Sequence, residues 1–73
     1  MAKNRYEIGL DDTMIDRYSS RRKAQHDAES IAKRDKRMGG PGKVWLYDLE
    51  PGAGCNPCSL YDAGRGRWGP GET

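Results

Sequence analysis

The first fifty residues predict an α+β domain of the ββαβ type. A three-stranded antiparallel sheet of order 2-1-3 carries one helix on one face. Three observations lead there. Residues 19–40, SSRRKAQHDAESIAKRDKRMGG, repeat Ala24, Ala28, Ile31 and Ala32 at the three- and four-residue steps of a single helix face. Residues 5–10 alternate, and residues 43–49 (KVWLYDL) are rich in branched and aromatic side chains, as strands are. After residue 50 the composition shifts to glycine and proline and the periodicity ends.

Each element has its own reason. In the first strand Tyr6, Ile8 and Leu10 share one face while Arg5, Glu7 and Gly9 share the other. Asp11, Asp12 and Thr13 supply a polar turn, without the Asn-Gly or Asp-Gly pair of a tight hairpin. The return strand, 14–18, turns Tyr18 inward together with Met14 or Ile15; a one-residue slip exchanges the two faces. Ser19 and Ser20 offer the helix an N-cap, and Met38 prolongs its apolar seam. Gly39-Gly40-Pro41-Gly42 ends it, since glycine suits the left-handed position after a helix and proline cannot continue one. Arg34, Lys36 and Arg37 complement the negative end of the helix dipole, and Glu29 stands four residues before Lys33, a favourable ion-pair spacing. A right-handed crossover from the second strand to the third leaves the first strand in the middle. Val44 and Leu46 then face the helix alanines, and Trp45 and Tyr47 lie on the face the helix leaves uncovered.

The predicted domain spans 1–50. Residues 51–73 hold six of the ten glycines and three of the four prolines; Leu60, Tyr61 and Trp68 follow no period. Such a segment buries too little apolar surface to offset its ordering entropy and reads as a flexible tail.

Length and charge narrow the function. Seventy-three residues support a thin core and leave little room for a ligand-burying pocket. The net charge is only +2, but residues 17–37 carry eight basic and three acidic residues, so a +5 helix faces a −3 remainder. The longest apolar run, Val44 to Tyr47, is far too short to span a bilayer, and residues 1–10 lack a signal-peptide pattern. This points to a soluble cytoplasmic protein with no membrane partner.

No catalytic site, cofactor or metal is expected. Cys55-Asn56-Pro57-Cys58 has the spacing of half a zinc site, yet His26 is the only other obvious ligand and faces away from the helix seam. A zinc site shared across a dimer is the remaining metal possibility. Neither a thioredoxin-like context for the cysteines nor a carboxylate pair suited to acid-base work is present. The glycines after the helix follow it instead of opening it, so they are not a phosphate-cradling loop.

Residues 5–50, with the DRYSSRRKAQHDAESIAKR helix entry and the VWLYDLE strand, resemble the small ββαβ proteins common in phage genomes. In size and character the chain is similar to phage-encoded transcription regulators of the Xanthomonas-phage type, which bind host RNA polymerase. The resemblance implies an inhibitor of transcription initiation that also promotes read-through of terminators. It assigns no role to any single residue.

The residues themselves place a protein contact on the open sheet face, at Arg5, Glu7, Lys43, Trp45 and Tyr47, with aromatic anchors inside a charged rim. The basic coat, chiefly Arg21, Arg22, Lys33, Arg34 and Arg37, is the secondary contact. As an alternative function it makes the chain a direct DNA- or RNA-binding module. Arg65-Gly66-Arg67-Trp68 resembles a single arginine-glycine RNA-contacting step.

Overall fold

The computed structural model describes residues 4–10, 13–49 and 59–70. Five strands and a helix follow in the order β1 (Tyr6–Leu10), β2 (Thr13–Tyr18), α1 (Arg21–Arg37), β3 (Lys43–Asp48), β4 (Ser59–Asp62) and β5 (Arg67–Pro70). All neighbouring strands are antiparallel in one sheet of order β2-β1-β3-β4-β5. The expected three-stranded sheet is therefore corrected to five strands. The added pair comes from 59–70, which the composition assigned to a flexible tail.

The cause is a short alternation too brief to register as a period. Ser59-Leu60-Tyr61-Asp62 sends Tyr61 to the helix side, opposite Val44 on one neighbour and Trp68 on the other. Tyr61 is 3% exposed, and its ring lies 5.4 Å from that of Trp68. The loop 63–66 closes the hairpin: Gly66 takes φ 68° and its N–H donates to the Asp62 carbonyl at 2.8 Å. The Asp62 carboxylate accepts from the Gly64 N–H at 2.9 Å. The hairpin thus brings both a closed turn and a buried aromatic, and docks on a β3 edge that would otherwise lack a partner.

The core lies between the sheet and α1. Ile8, Val44, Leu46, Tyr18 and Tyr61 pack against Ala24, Ala28 and Ala32, and all three alanines are fully buried. Small side chains on that helix stripe let the backbone approach the sheet closely. Ser20 caps α1, accepting from the Lys23 N–H. Met38 does not extend the seam; it is the C-cap and is 79% exposed. Beyond it Gly39 adopts φ 93° and Gly40 donates back to the Asp35 carbonyl at 2.9 Å.

The choice between Met14 and Ile15 is decided by a β-bulge. Pairing runs Ile8↔Asp16 and then Gly9↔Met14, so Ile15 is the extra residue. Three positions separate Ile15 from Tyr18, which in a regular strand puts them on opposite faces. The bulge lets both pack on the core, leaving Met14 half-exposed. The turn at Asp11 and Asp12, and Cys55 and Cys58, lie outside the described residues.

Candidate functional site

Among the described residues two surfaces remain once the core is closed: the sheet face opposite α1 and the outward side of α1. On the sheet face, strand alternation brings Glu7 and Gly9 of β1, Lys43, Trp45 and Tyr47 of β3, and Leu60 of β4 together. Trp45 sits between Gly9 and Leu60 in register, and Tyr47 is opposite Glu7. Gly9 leaves room beside them: a Cβ there would meet the Tyr47 ring at 3.6 Å and the Thr13 carbonyl oxygen at 3.3 Å. Trp45, Tyr47 and Leu60 are each half-buried, forming an apolar row across three strands. At its β4–β5 end is a half-open depression of about 250 Å³, bordered by Lys43, Leu60, Asp62, Arg67 and Gly69.

The charged rim is not uniformly available. Arg5 holds Asp48 in a two-pronged ion pair, both contacts at 2.9 Å, and lies 5.2 Å over the Tyr6 ring. Glu7 accepts from Arg17 at 3.2 Å and is 19% exposed. Of the five residues expected on this face, Lys43, Trp45 and Tyr47 lie half-buried along β3, while Arg5 and Glu7 hold ion pairs that brace the sheet. Leu60, Asp62 and Arg67 join the face through the hairpin. Their signal in the sequence was the turn Asp62-Ala63-Gly64-Arg65-Gly66 between two short segments with inward aromatics.

On α1 the structure sorts the charges. The Asp27 carboxylate neighbours the Tyr18 hydroxyl, with its side chain 41% exposed. Burial pushes that hydroxyl well above the usual tyrosine range, and the Asp27 and Asp16 carboxylates push the same way. Glu29 accepts from the Trp68 indole Nε1 at 2.8 Å, across 39 residues of sequence, so its partner is in the hairpin and not the expected Lys33. Asp35 accepts from the Gly42 N–H at 2.9 Å and holds the turn into β3. Glu29 and Asp35 thus reach toward the sheet or its flanking turns, while Asp27 stays on the flank of the helix.

The opposite side is cationic. His26, Ser30, Lys33 and Arg37 follow at steps of four, three and four along its outermost row, with Arg22, Lys23 and Arg34 beside them. All seven are exposed. Arg21 is exposed too, but three and seven residues before Ala24 and Ala28 it falls on the seam side of the first turn. The row contains no carboxylate; the nearest, Asp27, lies 3.6 Å from His26 on its flank.

Among the described residues no group of three or more His, Cys, Asp or Glu side chains is arranged to hold a metal ion. No helix among them is long and apolar enough to cross a membrane.

No family model, characterised protein or solved structure matches the chain. Its surfaces carry the functional reading.

Proposed function

We propose that the chain is a non-enzymatic regulator that binds a large host protein through the open face of its sheet. RNA polymerase is the partner that the phage-type resemblance implies, in the host cytoplasm. The observation that carries the reading is the row Trp45, Tyr47 and Leu60, half-buried on a face α1 does not cover. Aromatic side chains with few rotamers supply much contact area at little entropic cost, which is why they dominate interface anchors. The braced pairs Arg5–Asp48 and Glu7–Arg17 stiffen the platform around them. A rigid platform of this size acts by occupancy: it fills a site that another factor or a mobile polymerase element needs. Inhibited initiation and terminator read-through follow from such competition.

Titration of purified bacterial RNA polymerase core with the wild type and a Trp45→Ala, Tyr47→Ala variant tests this. Two central anchors are expected to weaken binding by at least about 30-fold, the equivalent of about 2 kcal/mol. Equal binding by a folded variant, or no binding by the wild type, refutes the reading.

A further inference from the structure

We infer that the outward face of α1 is a binding surface for the phosphate backbone of duplex nucleic acid. The inference is independent of the sheet-face reading. It rests on a sorting of charge that the linear sequence conceals. There, Asp27, Glu29 and Asp35 interrupt the basic run. In the fold two of them are drawn inward by partners from another part of the chain, Glu29 by the Trp68 indole and Asp35 by the Gly42 N–H, while Asp27 stays half-exposed on the flank beside His26. Arg22, Lys23, Lys33, Arg34 and Arg37 are left exposed around an outermost row free of carboxylates.

The dimensions and chemistry of the face select the occupant. From Arg22 to Arg37 the cations extend along about 22 Å of straight helix. A duplex carries one negative charge for roughly every 1.7 Å of its axis, so a rod of this length can meet several phosphates at once. The row's one aromatic side chain, the His26 imidazole, offers little surface for stacking unpaired bases, which disfavours single strands. The row has no apolar side chain to enter a lipid interface; Met38 lies beyond the helix end. Its arginines and lysines suit contacts to phosphate, which position a protein on a duplex without by themselves reading sequence.

The test is a fluorescence-anisotropy titration of the full chain on a mixed-sequence duplex DNA, a duplex RNA and a single strand of the same length, across a salt series. Anionic vesicles form a fourth arm. About four phosphate contacts give a slope of log affinity against log salt near −3.6, a loss of about 150-fold between 50 and 200 mM. Two variants with the same change in net charge separate the face from overall charge: Lys33→Gln with Arg37→Gln, and Arg17→Gln with Lys43→Gln. The helix pair is expected to reduce the slope by about 1.8. The sheet pair is expected to leave it unchanged, and circular dichroism confirms that both are folded. Comparable affinity for the two duplexes is the supporting pattern, because each presents the same backbone chemistry. Absence of duplex binding at 50 mM salt, equal loss in both variants, or tighter binding to single strand or vesicles overturns the inference.

Discussion

Replacing Tyr61 by alanine separates a sheet-forming hairpin from a flexible tail. Tyr61 is 3% exposed, lies opposite Val44 in register and meets the Trp68 ring at 5.4 Å with an interplanar angle of 58°. Removing a buried aromatic to alanine typically costs about 3–5 kcal/mol, from lost transfer energy and the cavity left behind. The tilted ring pair adds up to about 1 kcal/mol that the variant also forfeits. A domain of 73 residues holds roughly 4–11 kcal/mol in total, so Tyr61→Ala removes a large share. For a chain this small the melting temperature is expected to fall by about 12–40 °C. Thermal and urea unfolding followed by circular dichroism measure the loss, with Leu60→Ala as the reference. Leu60 is the preceding residue of the same strand but lies half-buried on the open face, where truncation costs about 1 kcal/mol. If Tyr61→Ala changes stability by less than about 0.5 kcal/mol, as a surface or tail position does, the five-stranded sheet is refuted.

The glycine turn and the buried hydroxyl give two further expectations. Gly42 and Gly66 share φ 68°, but a Cβ at Gly42 would lie 2.9 Å from the Lys36 Cβ and 3.2 Å from Ala32 O and Ala63 Cβ, whereas Gly66 faces open space. Gly66→Ala is expected to cost about 1 kcal/mol for backbone strain alone, and Gly42→Ala at least 1 kcal/mol more; equal urea midpoints would contradict the close approach of α1, β3 and the hairpin loop. Tyr18 prefers its neutral form in the fold, so its contribution is intact below the ordinary value of 10.0 and is lost as pH rises above it. Stability is expected to fall by up to about 1.4 kcal/mol per pH unit more steeply in the wild type than in Tyr18→Phe; parallel curves would show that the hydroxyl titrates freely.

Reading the helix from the sequence succeeds because its determinants are local. Ala24, Ala28 and Ala32 recur within one element, Ser20 caps it, and Gly39 follows it, so propensity, pattern and termination coincide over a few turns. Strand β3 is legible for the same reason. Its alternation also places Trp45 and Tyr47 away from the helix once Val44 and Leu46 are turned inward.

Only tertiary structure decides the rest. Strands β4 and β5 are four residues each, too short to show a period; their order comes from the β3 edge and from Tyr61 reaching the core. The bulge at Ile15 is the answer to two inward residues at an odd spacing, which one strand alone cannot reveal. The helix acids are the clearest case. Read in line, Asp27, Glu29 and Asp35 dilute a basic run, because sequence distance says nothing about what lies beside a side chain in space. Trp68 lies in the hairpin, 39 residues from Glu29, and must be folded against α1 before that carboxylate turns inward. Composition sets the number of charges; long-range hydrogen bonds set which of them face solvent.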